Sequence, residues 1–221
     1  MHLYTAYKNY SSWSLRPWIA MKVAGIPFDE TVLPFYHGDS LDKLGEKFQI
    51  PAQVPVLEQD GLVIWDSLAI MEYLAEEYPD KQLWPENPAL RSLARSVSFE
   101  LHSGFMALRG HCPMNCRSQK RLSDTHLAAI QGDLERLAVI WSKFENIDKP
   151  EGDFLCGQFG IVDAMYAPVM WRVLGYGLDV SPAFDRWAKA MKDLPEMQEW
   201  LAAAQQEEWV IEQYEACAET V

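Results

Sequence analysis

The first 80 residues alternate between two apolar periods. A short run at His2–Tyr7 predicts a strand, and Leu15, Trp18, Ile19 and Val23 fall at i, i+3, i+4 and i+8, which predicts a helix over Leu15–Ala24 ended by Gly25. A second strand is expected at Glu30–Leu33. After a polar stretch, "VPVLEQDGLVIW" reads as two strands, Val54–Glu58 and Leu62–Trp65, joined by a turn at Gln59-Asp60-Gly61. Asp66-Ser67 then gives an N-cap signal for a helix whose Leu68, Met71, Leu74, Ala75 and Tyr78 share one side before Pro79 stops it.

The start of the first helix has its own logic. In "YSSWSLRPW" the proline Pro17 fits only the first helical turn, where its missing N–H has no partner to lose. That places the cap at Trp13 or Ser14, or as late as Arg16, and leaves Ser11 just outside the helix. Ser14 is then a candidate cap, and Ser11 is free for another task.

Beyond Pro79 the pattern changes. "LWPENP", residues 83–88, has two prolines and no period, which marks a linker. From Ala89 onward helical spacing runs almost throughout, with breaks near Pro113, Asp148–Gly152, Gly175–Pro182 and Pro195. The expected organisation is a small α/β domain over residues 1–82, a linker over 83–88 and an all-helical domain over 89–221.

Composition narrows the function classes. The chain has 221 residues, 49% of them hydrophobic, enough for a sizeable core. Its formal net charge is −13, from 32 acids against 19 bases, which argues against nucleic acid or anionic membrane as a partner. A small anion is not excluded, because backbone donors at a helix start can hold one. The chain has no apolar run long enough to span a bilayer and no secretory layout at its start, so a cytoplasmic location is expected. Cys112, Cys116, Cys156 and Cys217 are too few for a disulfide scaffold, and the Cys112/Cys116 spacing lacks a second ligand pair, so no metal site is expected.

Three motifs then line up in order. "YSSWSLRPWIAMKVAGI" resembles the zeta-type N-terminal motif of the glutathione transferases, a Ser-Ser-Cys run ahead of the first helix and its Arg. "QVPVL" is similar to that family's Val-Pro element, and "DSLAIMEYLAEEYP" to its Glu/Gln-Ser-x-Ala-Ile helix. Farther on, "GQFGIVDAMYAPVMW" resembles the family's buried helix with a capping box, here with Gly160 at the cap and Asp163 reaching back to a backbone N–H.

The resemblance implies a thioredoxin-like βαβαββα domain followed by an all-α domain, glutathione as co-substrate, a hydrophobic electrophile as second substrate, and a homodimer. It places the thiolate-stabilising hydroxyl at Ser11, with Ser12 as backup, Arg16 at the motif's Arg, and Tyr10 as an alternative because other transferase classes use a Tyr near this point. Tyr7 is a weaker candidate. Trp13 stands at the motif's Cys and offers a flat apolar wall to the electrophile. Val54 precedes Pro55 across an implied cis peptide and pairs with the cysteinyl unit as an added strand, with Gln53 beside it. Asp66 takes the γ-glutamyl ammonium, and Ser67 its carboxylate. His37 is a candidate for the glycyl carboxylate. The electrophile is expected near a helical face carrying Phe99, His102, Met106 and Arg109.

Two other activities fit the same motifs. One is glutathione-dependent cis–trans isomerisation of the maleylacetoacetate or maleylpyruvate type. Against it, the Arg that zeta enzymes carry two turns beyond the helix proline falls near Gly175, with Arg172 displaced from that place. The other is a non-catalytic interaction module, which retention of Ser11, Val54-Pro55 and Asp66-Ser67 disfavours.

Overall fold

A computed structural model of the chain describes residues 1–35 and 38–220. Strands β1 (His2–Thr5), β2 (Asp29–Val32), β3 (Val56–Gln59) and β4 (Leu62–Trp65) form one sheet in the order β2-β1-β3-β4. β1 runs parallel to β2 and antiparallel to β3, and β3 pairs antiparallel with β4. Asp60 and Gly61 both have positive φ, 51° and 84°, as the tight two-residue connection between right-twisted strands requires. β4 spans the expected residues and β2 is shifted by one, while β1 and β3 are shorter than the apolar pattern suggested. Val54 and Pro55 in particular lie ahead of β3, so the ladder starts at Val56 opposite Tyr4.

Helix α1 (Ser12–Val23) begins three residues earlier than expected, and its N-cap is Ser11 itself. The Ser11 hydroxyl accepts from the Ser14 N–H, and the Ser11 carbonyl accepts from the Leu15 N–H, so a full turn closes before the proline. Pro17 therefore sits inside the helix, at the cost of the bond its N–H would have made to Trp13. Helix α2 (Ser40–Phe48) fills the polar stretch; only the narrow stripe of Leu41, Leu44 and Phe48 is apolar, which is why periodicity alone did not reveal it. Helix α3 (Ser67–Glu77) starts at the Asp66 cap, whose Oδ1 accepts from the Leu68 and Ala69 amides, and ends before a 3₁₀ turn at Pro79–Lys81.

The remainder is helical: α4 (Pro88–Ser103), α5 (Met106–His111), α6 (Asp124–Glu145), α7 (Ile161–Gly175), α8 (Pro182–Asp193), α9 (Pro195–Gln206) and the short α10 (Glu212–Glu215). A two-residue ribbon pairs β5 (Lys120–Arg121) with β6 (Glu219–Thr220). Nearly all of α7 is buried, and α1 and α4 pack on it, so α7 joins the sheet-bearing part to the helical part. Asp163 anchors its start. Oδ2 accepts from the Gly160 N–H at 3.0 Å, as the motif predicts, while Oδ1 takes the Leu155 N–H at 2.9 Å and the Trp187 indole at 2.8 Å. Burial nevertheless pushes the Asp163 carboxyl up to about 6. Gly160 also has a steric reason: a Cβ there would meet the Leu83 carbonyl oxygen at 2.8 Å, in the place where Ile161 N–H bonds that same oxygen.

Candidate active site

The loop from β1 to α1 is held tightly. Ser11 N–H donates to the Tyr7 carbonyl at 2.8 Å, and Ser12 N–H to Tyr10 at 3.0 Å. The Ser11 and Ser14 hydroxyls lie 2.7 Å apart, with Ser11 donating, and Ser14 Oγ also accepts from the Ala6 N–H. A hydroxyl proton rotates freely, so the pair has two arrangements; when Ser14 donates to Ser11, the Ser11 proton is released.

A cavity of about 630 Å³ opens beside this helix start. Ser11, Ser12 and Trp13 line it from α1, Gln53 and Val54 from the stretch before β3, and Met106 and Arg109 from α5. The Val54–Pro55 peptide is cis, and Pro55 itself is buried behind Val54. Five of the predicted site residues, Trp13, Gln53, Val54, Met106 and Arg109, thus line one cavity with Ser11. A second cavity of about 310 Å³, between the 82–90 segment and the start of α7, brings together none of the predicted site residues.

Two expectations, a shared helical face for the electrophile and a free Trp13 ring, are corrected by the geometry. Phe99, His102, Met106 and Arg109 do not share one helical face, because Gly104 is extended and Phe105 has φ 56°, which ends α4 and starts α5 at a new angle. Phe99 is 56% exposed and outside the cavity. Trp13 is not a free apolar wall. The Arg16 guanidinium lies 4.3 Å from its ring centroid, that of Arg109 5.0 Å away, and the His102 ring meets it edge-on at 5.1 Å. Asp66 and Ser67 do not line the cavity. Ser67 is fully buried and accepts from Arg16 at 3.4 Å, whereas Asp66 Oδ2 is half-exposed and lies 3.3 Å from His102 Nε2. His37 falls outside the described residues.

Tyr7 and Tyr10 are both engaged elsewhere. Tyr7 is fully buried, donates to the Phe35 carbonyl, and is pushed up to about 12 by that burial and by Glu207. Tyr10 lines the cavity, but its phenol donates its proton to Glu215 at 2.6 Å and accepts from Arg117 at 3.1 Å. Burial and the Glu215 bond raise its pKa. Burial likewise raises Cys112 and Cys156 to about 12 and Cys116 higher still, so these thiols stay protonated at neutral pH. Among the described residues no cluster of His, Cys, Asp and Glu has metal-holding geometry.

The sequence reading missed Arg172 as a wall residue. Although displaced from the place near Gly175, it lines the same cavity, and its guanidinium donates to the Cys112 carbonyl and, at 3.3 Å, to the Arg109 carbonyl. Its signal was a basic residue in the otherwise apolar α7. Arg16, Arg109 and Arg172 cluster with no carboxylate ion-pair partner among the described residues. Burial first, then mutual repulsion, pushes Arg16 down to about 9 and Arg172 to about 10, and burial lowers Arg109. All three remain charged at neutral pH. Such a group favours an anion at the cavity. The sequence reading also missed Gln213, Tyr214 and Cys217, which line the cavity from the far end of the chain.

Residues 10–77 match the family model "Glutathione S-transferase, N-terminal domain". Over 196 residues the chain is 28% identical to a probable maleylacetoacetate isomerase of Caenorhabditis elegans, covering 87% of this chain and 89% of that one. Over 184 residues it is 27% identical to glutathione S-transferase 1 of Dianthus caryophyllus, covering 82% and 81%. A glutathione transferase homolog from Burkholderia, solved with bound glutathione, has the same fold, with a TM-score of 0.69, 22% identity, and coverage of 93% of this chain and 98% of that one.

Proposed function

We propose that this chain, a member of the glutathione transferase family, binds glutathione in the cavity at the start of α1 and presents it as a thiolate to an electrophilic small molecule. The observation that carries the proposal is the convergence of Ser11, the α1 N-terminus, Gln53 and Val54 on one cavity that also has a basic, partly apolar far side. The chemical demand is modest. Moving a thiol from about 8.5 to about 6.5 needs roughly 2.7 kcal/mol of preferential stabilisation. A hydroxyl donating to a charged sulfur contributes about 1.5–3 kcal/mol, and a helix N-terminus about 0.3–1 kcal/mol.

The Ser14 hydroxyl supports Ser11 in this role. Held by the Ala6 N–H, Ser14 turns its own proton onto Ser11 Oγ, which frees the Ser11 proton for sulfur. Tyr10 lacks that freedom because Glu215 takes its proton. The Trp13 amide, a first-turn donor with no partner among the described residues, faces the same helix start. Gln53 and the Val54 backbone hold the tripeptide as an added strand. Asp66 takes the γ-glutamyl ammonium through Oδ2, and buried Ser67 acts behind it by anchoring Arg16. Residues 1–82 form the glutathione-binding domain, 83–88 the linker, and 89–221 the domain that completes the electrophile pocket through Met106, Arg109 and Arg172.

A second reading within the family is glutathione-dependent isomerisation of an anionic electrophile. Arg109 and Arg172 in the cavity favour it, since two unpaired guanidiniums suit the carboxylates of a maleyl-type substrate. A homodimer is supported by the exposed apolar side chains of Leu62, Trp65 and Phe99.

Calorimetry with glutathione, followed by a pH titration of the bound thiol's ultraviolet absorbance, tests the proposal. Binding with a thiol pKa at least one unit below that of free glutathione is expected. No binding overturns the proposal, and turnover of maleylacetoacetate against turnover of a neutral aryl halide separates the two readings.

A further inference from the structure

The second cavity, of about 310 Å³, is at the lower end for small-molecule sites and shares no lining residue with the cavity at Ser11. The linker and the start of α4 form one wall, and the start of α7 with the loop before it forms the other. The two are joined where the Ile161 N–H donates to the Leu83 carbonyl at 3.0 Å. Leu83, Leu90, Phe159 and Val162 make the lining largely apolar. Three donors in it are unspent among the described residues. Asn87 Oδ1 caps α4 by accepting from the Ala89 and Leu90 amides, which leaves Nδ2 without a partner. The Cys156 thiol, on a residue only 7% exposed, has none. Nor has the Val162 N–H in the first turn of α7, and Gly160 beside it can border the cavity only through its backbone. Charge in the lining is one-sided: it includes Glu86 and no Lys, Arg or His. An anion would meet Glu86 with no cation to offset it, and a purely apolar molecule would leave the donors unmet.

We infer that this cavity is a second ligand site, separate from that of glutathione, for a small neutral carbonyl compound with an apolar body. The carbonyl oxygen accepts from Asn87 Nδ2, and the apolar body replaces water against Leu83, Leu90 and Phe159. Because the linker and α7 each supply a wall, such a ligand braces the junction between residues 1–82 and 89–221 without entering the glutathione cavity. The inference goes beyond the glutathione reading and does not depend on it.

The test is amide NMR on the full chain with two probes, acetophenone and benzoate, which share a ring and differ in charge. Acetophenone is expected to shift the amides of residues 82–90 and 156–162 with a Kd of about 1 mM or below, and saturating glutathione leaves that Kd within about twofold. Benzoate acts on the same amides with an affinity at least about fivefold weaker. Asn87→Asp keeps a permitted cap oxygen and removes the amide donor, so it melts with wild type yet binds acetophenone about fivefold more weakly. Gln158→Trp puts bulk into the lining from an exposed position and abolishes the shifts. The inference is overturned when acetophenone moves none of these amides up to about 20 mM, when its shifts gather around Ser11 and Met106 instead, or when glutathione displaces it. Equal binding of the two probes, or either variant binding acetophenone as tightly as wild type, overturns it as well. A protein that takes acetophenone here and no glutathione keeps this inference and loses the proposed function.

Discussion

Replacing Ser11 by alanine removes a helix cap and a sulfur donor together, and the two losses are measured separately. The hydroxyl's bond from the Ser14 N–H is 3.3 Å long, and of the first-turn amides Ser12 to Leu15 only that of Trp13 has no partner among the described residues. Its loss costs about 1 kcal/mol of stability, which for a chain of this size lowers Tm by about 2–4 °C. The donor to a thiolate is worth about 1.5–3 kcal/mol. Divided by 1.36 kcal/mol per unit, its removal raises the bound thiol's pKa by about 1–2 units. The assay is a pH titration of thiolate absorbance on saturated protein, run beside a thermal melt. Ser11→Thr keeps a hydroxyl and a permitted cap, and is expected to track wild type in both. A Ser11→Ala protein that melts lower but holds the thiol at the wild-type pKa would refute the reasoning. Ser11 would then be a cap alone, and the helix start with its free Trp13 amide would be the source of activation.

Other consequences are equally specific. Asp163 has a folded pKa raised to about 6 against an unfolded value near 3.8, so its contribution to stability is present in full below the lower value and is lost as pH rises through the higher one. That amounts to about 3 kcal/mol between pH 3.5 and pH 7; urea unfolding of wild type and Asp163→Asn across this range should show the difference between them shrinking as pH rises, and parallel profiles would sink the idea. At neutral pH Asp163→Asn turns its amide against the Gly160 N–H and is expected to remain about 1–3 kcal/mol less stable by urea unfolding; equal stability there would refute it. Gly160→Ala drives a methyl into the Leu83 carbonyl and is expected to cost about 1–3 kcal/mol by the same urea assay, with no change in glutathione affinity. Arg109→Ala should raise the KM of an anionic electrophile about tenfold and leave that of a neutral one nearly unchanged; equal effects on both would assign Arg109 to clamping Trp13 instead.

The parts of this protein legible in its sequence are those whose determinants lie within a few residues. The Asp60-Gly61 turn, the Asp66 cap and the Asp163 reach-back are contacts between near neighbours, fixed by local backbone geometry. The Ser-Ser, Val-Pro and Asp-Ser motifs carry the family likeness for the same reason. Pro17 misled by one turn, because a strong serine cap outweighs the one bond a proline removes. What only the tertiary structure decided depends on residues far apart in the chain. Tyr10 and Glu215 stand 205 positions apart, and their bond commits the phenol proton to a carboxylate. The break at Gly104–Phe105 turns one predicted face into two, so that Arg109 faces the cavity and Phe99 faces solvent. Arg172 reaches the cavity because α7 packs beneath α1 and alongside α4, a burial that no local pattern encodes. In "YSSWSLRPW" the sequence set which hydroxyls were present; packing against the chain's other end engaged that of Tyr10 with Glu215 and left that of Ser11 paired with its neighbour Ser14.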